Sequence, residues 1–310
     1  MAKNNNLHAA KKAANDEFYT RIEDIENELR HYKDHFKNKI IFCNCDDPEE
    51  SNFWKYFELN FEFLGLKKLI STHYNATEPS YKLELIGDID GDGKVTKGDI
   101  IKTPLKQNGD FRSPECVEIL KEVDIVVTNP PFSLFREYIA QLIETKKQFL
   151  ILGNNNAVTY KEVFPLIKNN QLWLGYNSNK TMEFRVPDGY KFSREDANGK
   201  YGKVPAISWF TNLKTKKRTE DLLLYKKYSA KDYPKYDNYD AINVDKVKDI
   251  PMDYYGVMGV PITFLDSYNP EQFEIIKFRK GDDDNDLSIN GKCPYFRILI
   301  KRKQNNADNA

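Results

Sequence analysis

The sequence has no net charge, few cysteines and no long apolar run. Its 310 residues include 47 basic and 47 acidic side chains, so contact with nucleic acid would have to use local patches rather than bulk charge. No apolar stretch approaches the roughly 18 residues of a membrane helix, and the polar amino terminus has no secretory signal. Four scattered cysteines exclude a disulfide scaffold. These absences predict a soluble cytoplasmic protein with no membrane association.

Apolar and aromatic residues are nevertheless plentiful. They make up 40% and 13% of the chain, which is enough for a sizeable core and excludes global disorder. In the first half of the chain, short apolar runs typical of buried strands alternate with stretches of helical spacing. This alternation predicts a mostly parallel, doubly wound α/β sheet. The predicted buried strands are residues 39–45, 66–72, 124–128 and 148–153.

The pattern changes after about residue 175, where shorter runs predict further strands. Two basic clusters, Lys214-Thr-Lys-Lys-Arg218 and Lys301-Arg-Lys303, could meet phosphates or could simply be solvated surface. A helix is predicted over residues 158–169. The later predicted strands are residues 182–186, 205–211, 222–224 and 295–300.

The most specific motif is Asn129-Pro130-Pro131-Phe132, which directly follows a predicted buried strand. A given four-residue string has a chance expectation on the order of a few per thousand in a chain of this length. The carboxyl end of a strand is also where open α/β sheets bind ligands. The motif therefore predicts a functional site, and the alternative is an Asn-Pro turn that caps the next helix.

The chemistry of an aromatic amine explains these residue types. The exocyclic amine of adenine is a poor nucleophile because its lone pair is delocalised into the ring. The side-chain oxygen of Asn129 and the main-chain oxygen of Pro130 can accept its two hydrogens, which favours the tetrahedral geometry needed for attack. The two prolines fix the backbone and have no N–H that competes for these acceptors. Phe132 offers a flat face to the purine.

The wider sequence resembles the amino-methyltransferases that use S-adenosylmethionine, and more closely the EcoRI-type DNA adenine methyltransferases. Residues 124–138 are similar to motif IV of these enzymes. The resemblance runs from about residue 16 past residue 175, and more weakly to the C-terminus. Its other segments are Asp16-Glu-Phe-Tyr-Thr20, Cys43-Asn-Cys-Asp-Asp-Pro48, Ser51-Asn-Phe53, Gly65-Leu-Lys-Lys-Leu-Ile70 and Gly109-Asp-Phe-Arg-Ser113.

The resemblance implies that Asn129, Pro130, Pro131 and Phe132 are catalytic, and that S-adenosylmethionine is the cofactor. Motif X would cover its methionine part, carboxylates at motif I would accept from its ammonium group, and motif III would hold its adenine. Motif I lacks its usual Gly-x-Gly turn here, and no acidic residue is evident for the ribose. Polar turns are the alternative at motifs I and III. The implied cofactor-binding residues are Phe18, Tyr19, Thr20, Asn44, Asp46, Asp47, Asp110 and Phe111.

The resemblance also implies a seven-stranded Rossmann-like sheet with a small C-terminal recognition region. The expected organisation is a flexible tail (1–15), a catalytic domain (16–225) and a DNA target-recognition region (226–310). The expected reaction is methyl transfer to adenine N6 in double-stranded DNA by base flipping, within a type II restriction-modification system. A GAATTC-like site and an endonuclease that acts there without forming a stable complex are implied. A monomer suffices, because one methyl group is added per visit.

Residues 88–99 match the template of a calcium loop. Carboxylates stand at positions 1, 3, 5 and 12, with Gly at position 6 and Val at position 8. A strand-like run precedes the loop, and Lys94 and Lys97 reduce its negative charge, which favours a long acidic turn. We therefore expect no catalytic metal, with a structural calcium ion as the alternative. The carboxylates are those of Asp88, Asp90, Asp92 and Asp99.

Three other functions are compatible with the sequence. A similar pocket could methylate an RNA adenine, cytosine N4 or a protein glutamine, although cytosine N4 enzymes more often carry Ser before Pro-Pro. A non-catalytic DNA-binding regulator could keep the same fold, but the intact Asn129 and Phe132 disfavour it. A calcium-dependent docking module built on residues 88–99 is disfavoured by its single loop.

Overall fold

The chain divides into two compact units in a computed structural model. The model describes residues 19–304 except 46, 76–79, 187–188 and 198. Within these limits the large unit comprises the chain up to Phe164 together with Leu172–Leu213, and the small unit comprises Pro165–Gln171 and the chain from Lys214 onward. The division falls twelve residues before the domain boundary expected after residue 225 (225 − 213).

The large unit contains a mixed sheet. Its strands are β1 (Tyr19–Thr20), β2 (Ile40–Cys43), β3 (Lys68–Thr72), β4 (Tyr81–Leu85), β5 (Ile101–Pro104), β6 (Ile125–Thr128), β7 (Gln148–Asn154), β8 (Trp173–Leu174), β9 (Lys180–Val186), β10 (Arg194–Asp196) and β11 (Gly199–Thr211). They lie in the order β1-β9-β11-β7-β6-β2-β3-β4-β5, with β8 and β10 also paired to β11. The four central strands β7, β6, β2 and β3 are parallel. This parallel centre confirms the predicted α/β class.

Helices cover both faces of this sheet. Alternate residues of the central strands, such as Ile41 and Val127, share one hydrophobic core with the first and third helices, whereas Phe210 of β11 contacts Phe135 of the sixth helix. None of the helices in the described ranges is long and apolar enough to cross a membrane. The helices of the large unit are α1 (Ile22–Leu29), α2 (Lys33–Phe36), α3 (Asn52–Leu59), α4 (Phe61–Leu64), α5 (Pro114–Glu122) and α6 (Phe135–Glu144).

Three expectations about secondary structure are corrected. In the described ranges the sheet has eleven strands rather than seven, because short strands such as β1, β8 and β10 extend it without a recognisable hydrophobic pattern. The helix expected over 158–169 is replaced by a 3₁₀ turn at Asn155–Thr159 and a short helix, α7 (Phe164–Lys168). Residues 222–224 form no strand, and the side chain of Gln272 bonds to both backbone groups of Leu222 where a neighbouring strand would pair.

The small unit has its own antiparallel and parallel pairings. Its four-stranded sheet has the order β12-β13-β15-β14. Tyr236, Ala241, Leu287 and Leu299 form a buried core cluster. Of these strands, only the last was expected from the sequence. The strands are β12 (Ile242–Asn243), β13 (Val257–Pro261), β14 (Phe273–Phe278) and β15 (Arg297–Arg302).

A buried carboxylate fastens α1 to the chain that follows β8. Glu28 is fully buried and accepts hydrogen bonds from the Tyr32 hydroxyl at 2.9 Å and from the backbone N–H groups of Tyr176 at 2.8 Å and Asn177 at 2.7 Å. A Cβ atom at Gly175 would collide with the same carboxylate. Glu28 therefore fixes the position of α1 against the sheet.

Burial raises the pKa of Glu28, and this gives the fold a specific pH dependence. Because the folded state holds the proton more tightly than the unfolded state, the contribution of Glu28 to stability is full below about 4.5, its ordinary pKa, and is lost as the pH rises through the raised value. We expect the unfolding free energy of the wild type minus that of Glu28→Gln to fall as pH rises above 4.5. Urea unfolding at a series of pH values measures it, and a difference that is flat or rises with pH would contradict it.

Candidate active site

The carboxyl ends of β2 and β6 lie side by side. The two strands are parallel and in register, with Phe42 opposite Val126. The Thr128 hydroxyl at the end of β6 donates to the main-chain oxygen of Asn44, which follows β2. The Tyr138 hydroxyl of α6 donates to the Asn44 side-chain oxygen. Asn44 is thus held at both its oxygens, next to the start of the Asn-Pro-Pro-Phe motif.

The motif itself forms a turn between β6 and α6. Asn129 is 5% exposed, and Pro131 has φ −54° and ψ 121° before a 3₁₀ turn over Phe132–Leu134. The N–H of Leu134 donates to the Pro131 oxygen at 2.9 Å. The Phe132 ring is half-buried and meets the fully buried Phe184 of β9, with centroids 6.4 Å apart and planes at 83°.

The turn after β2 is made without glycine. Cys45 adopts φ +74°, the left-handed conformation that the missing Gly-x-Gly motif would normally provide. In a residue with a side chain this conformation costs roughly 1–3 kcal/mol, and such strain is found where a site requires a particular backbone path. Asn44 precedes this strained residue and Asp47 follows it. Asp46 lies outside the described residues.

Asp47 belongs to a polar group beside this turn. Its carboxylate accepts from the backbone N–H of Glu49 at 3.0 Å and from the Tyr81 hydroxyl at 3.3 Å, and lies 3.8 Å from Nε2 of His73. Burial and the neighbouring Asp47 raise the pKa of Tyr81, which stays neutral and donating. His73 stacks on Tyr81 at 4.8 Å. Asp47 is one quarter exposed and retains room for a further donor.

Asp110 and Phe111 lie in a loop that reaches the same end of the sheet. Arg112 binds both oxygens of Asp110, at 2.9 and 2.7 Å, and lowers the pKa of that carboxyl, which is therefore ionised at neutral pH. Phe111 is buried, and its ring meets Tyr138 edge-on at 5.0 Å. Tyr138 thus connects Phe111 to Asn44. Tyr138 therefore brings the loop that carries Phe111 close to the turn that carries Asn44.

Gly109 holds this loop against the chain that follows β3. A Cβ atom there would collide with the main-chain oxygen of His73, and its φ is +77°. We expect Gly109→Ala to displace Asp110 and Phe111, weakening S-adenosylmethionine binding at least about tenfold and lowering stability by roughly 1–3 kcal/mol. Titration calorimetry and thermal unfolding measure the two effects.

Gly91 provides the matched control for this substitution. Its φ is also +77°, but no atom lies within 4 Å of a Cβ placed there. Gly91→Ala therefore carries the same backbone strain without the collision. Equal losses of cofactor affinity in the two variants would show that the close approach at Gly109 has no role.

Tyr19 and Thr20 form the edge strand β1, and Phe18 lies outside the described residues. Thr20 is buried and its main-chain oxygen accepts from the Asn52 side chain at 2.7 Å. Tyr19 lies under the Arg185 guanidinium at 4.7 Å. A polar cavity of about 730 Å³ opens beside Tyr19 and Asn52, and none of the motif residues 129–132 lines it.

Three carboxylates of the acidic loop, residues 88–99, lie close together. Asp88, Asp90 and Asp99 offer oxygens that lie within 4.8 Å of one another, and Asp92 is not part of this group. Asp99 accepts from the N–H groups of Ile89 at 2.6 Å and Thr96 at 2.7 Å, bonds that also lower its pKa. Whether the loop is an acidic turn or a calcium loop stays a prediction, since both arrangements place these carboxylates together.

Sequence reasoning did not find Thr128 and Tyr138, which hold Asn44. Their contacts cross 84 and 94 residues of chain. The available signal was weak: each is a polar residue at an otherwise apolar, buried position of its strand or helix.

A doubly wound sheet with Asn-Pro-Pro-Phe at the carboxyl end of a central strand, beside a polar turn on the neighbouring strand, defines a Rossmann-like amino-methyltransferase. The model of the family "Adenine-specific methyltransferase EcoRI" matches residues 6–303, so the chain belongs to that family. The resemblance drawn from the sequence is thereby confirmed.

Curated relatives cover nearly the whole chain. Type II methyltransferase M.EcoRI of Escherichia coli is 53% identical over 98% of this chain and 98% of its own length. M.MgeORF184P of Mycoplasma genitalium is 45% identical over 96% and 99%, and M.MpnI of Mycoplasma pneumoniae is 43% identical over 96% and 98%. No solved structure matches the chain.

Proposed function

We propose that this adenine-specific methyltransferase acts on adenine N6 in double-stranded DNA, as the modification enzyme of a type II restriction-modification system. The observation that supports this proposal most strongly is the position of Asn129-Pro130-Pro131-Phe132, at the carboxyl end of β6 beside Asn44. The names of its relatives, all type II methyltransferases, support the same substrate class.

The reaction needs the target base outside the duplex, because N6 cannot otherwise reach the end of the sheet. Asn129 and Pro130 then accept the two amine hydrogens through oxygen atoms. These dipoles hold the nitrogen lone pair clear of the ring plane and stabilise the positive charge that develops on N6. Because prolines fix the turn, little reorganisation is needed when the base enters. Phe132 supports the base from one face.

Family membership implies S-adenosylmethionine as the methyl donor, which supplies an electrophilic methyl group when bound. The described residues fit its polar groups. Asp47 offers a carboxylate to an ammonium group, and Asp110 Oδ2 keeps a lone pair beyond its bond to Arg112 for an adenine amine. Phe111 and the strained turn at Cys45 complete this side of the site. We infer that Asn44, Tyr19 and Thr20 also contribute to this site, as the sequence resemblance implies.

We assign target recognition to the small unit, which carries the basic stretches 214–218 and 301–303. A GAATTC-like site is the expected target, given the similarity to M.EcoRI. A cognate endonuclease would act on the same site without forming a stable complex. We expect a monomer that works in the cytoplasm.

The test is transfer of tritiated methyl from S-adenosylmethionine to unmethylated genomic DNA, followed by digestion and identification of the labelled base. N6-methyladenine is the expected product, and sequencing of methylated positions then gives the site. Label in N4-methylcytosine would contradict the adenine assignment. No label in the DNA, with cofactor binding intact, would contradict the DNA substrate.

A further inference from the structure

Three buried hydroxyl groups surround the end of β2. The Ser71 hydroxyl of β3 donates to the main-chain oxygen of Cys43. The Thr128 hydroxyl of β6 donates to the main-chain oxygen of Asn44, and the Tyr138 hydroxyl of α6 donates to its side-chain oxygen. All three donors are fully buried. They lie where the pairing of β2 with its two neighbours ends, so side chains supply the donors that the strand backbones no longer provide.

The chain is fixed again on the far side of Cys45. The main-chain oxygen of Asp47 accepts from the N–H groups of Glu50 at 3.1 Å and Ser51 at 2.7 Å, where the chain leads into α3. With Asn44 and Asp47 both fixed, the backbone between them has little choice of path. Cys45 follows that path with φ +74°. The contacts around the turn, and not the preference of a cysteine, therefore impose the left-handed conformation.

This arrangement explains how the turn forms without the Gly-x-Gly of motif I. Glycine adopts a positive φ about as readily as a negative one, whereas a Cβ atom disfavours it. Without its surroundings, the turn at Cys45 would relax toward negative φ. The hydroxyl groups oppose this relaxation, because a released turn would leave the buried oxygens of Asn44 without donors.

We propose that Tyr138 and Thr128 are positioning residues that lock the turn after β2 in the conformation that binds S-adenosylmethionine, in place of the glycines of motif I. This proposal rests on the proposed function, since it assigns residues that prepare the cofactor site. Both residues act through Asn44. The locked turn has its conformation before the cofactor arrives, so binding does not have to include the cost of forming it.

The test measures the dissociation constant of S-adenosylmethionine by titration calorimetry, without DNA. Tyr138→Phe removes the hydroxyl and keeps the ring that meets Phe111. It is compared with its parent in three backgrounds: the wild type, Cys45→Gly and Cys45→Ala. Glycine removes the strain of the turn, whereas alanine removes the thiol and keeps the strain. Thr128→Val in the same backgrounds provides the second measurement if Tyr138→Phe fails to fold.

Tyr32→Phe is the matched control. Tyr32 is also a fully buried tyrosine of the large unit, and its hydroxyl donates to Glu28 at 2.9 Å. Loss of that bond should lower the temperature of thermal unfolding. It should leave the dissociation constant of S-adenosylmethionine within about twofold of the wild type, because the bond does not touch the turn after β2.

We expect Tyr138→Phe to raise the dissociation constant about tenfold in the wild type, as for a turn that keeps its binding conformation about one tenth of the time. The rise should again be about tenfold in the Cys45→Ala background, but less than about threefold in the Cys45→Gly background. Equal rises in all three backgrounds would overturn the proposal, since the loss of a merely structural bond does not depend on a Cβ atom at position 45. No rise in the wild type would overturn it as well.

The outcome for this proposal is separable from that for the proposed function. A wild type that binds no S-adenosylmethionine would contradict both. Binding of S-adenosylmethionine without methylation of DNA would contradict the DNA substrate alone, and the comparison of the three backgrounds would still decide whether Tyr138 positions the turn.

Discussion

Asn129→Ala is expected to slow methyl transfer by about 100- to 1,000-fold while the fold and the affinity for S-adenosylmethionine stay near those of the wild type. Loss of one preorganised dipole at the reacting atom has an effect of this size in other enzymes. The side-chain oxygen of Asn129 is one of two acceptors for the amine, and the main-chain oxygen of Pro130 remains in the variant. The loss should therefore appear in the single-turnover rate and not in cofactor binding.

Single-turnover methylation of duplex DNA and titration with the cofactor separate these two quantities. Asn169→Ala, at an exposed asparagine of the small unit, serves as the control and should retain full activity. Circular dichroism checks that the buried Asn129 position tolerates the change. A rate within about tenfold of the wild type would show that the amide oxygen does not orient the amine.

The central strands were predictable because of where they lie. A parallel strand covered by helices on both faces needs apolar side chains at every position, and such runs are visible in one sequence. Strands β2, β3 and β6 therefore fall within or next to the predicted ranges 39–45, 66–72 and 124–128. The edge strands could not be predicted in this way. A strand of two residues, such as β1, is too short to show an alternating hydrophobic pattern.

The sheet of the small unit was missed for a tertiary reason. Strand β13 contains Gly259 and ends at Pro261, residues that disfavour a strand when judged locally. A Cβ atom at Gly259 would collide with the ring of Tyr236, so the glycine is required by close packing. Packing between residues distant in sequence is not visible in local composition.

The candidate site was predictable as a set of short motifs but not as an arrangement. Asn129 and Phe132 belong to a string that is rare by chance, and Asp110 was found through resemblance. The sequence did not show that Cys45 would adopt the conformation of a glycine, or that Tyr138 would connect Asn44 with Phe111. These contacts depend on the pairing of β2 with β6, which places the two loops together.

Phe132→Ala is expected to lower kcat/KM for DNA by roughly 5- to 150-fold. Stacking of one base on an aromatic ring contributes about 1–3 kcal/mol, and a factor of ten corresponds to about 1.4 kcal/mol. The Phe132 ring meets Phe184 edge-on and is half-buried, so part of it remains accessible to a flipped base. Steady-state kinetics on a duplex that carries the unmethylated target site measure the effect.

Two further substitutions at Phe132 distinguish stacking on the ring face from a simple requirement for side-chain volume. Phe132→Tyr keeps the face and should retain most activity, whereas Phe132→Leu keeps apolar volume and should lose nearly as much as alanine. Phe63→Ala is the control, because that ring is 71% exposed on α4 and should have no effect on kinetics. Activity of Phe132→Leu equal to that of Phe132→Tyr would mean that the site needs bulk and not stacking. In that case leucine would supply the bulk that the site needs, and the double variant Asn129→Ala/Phe132→Leu would be no slower than Asn129→Ala.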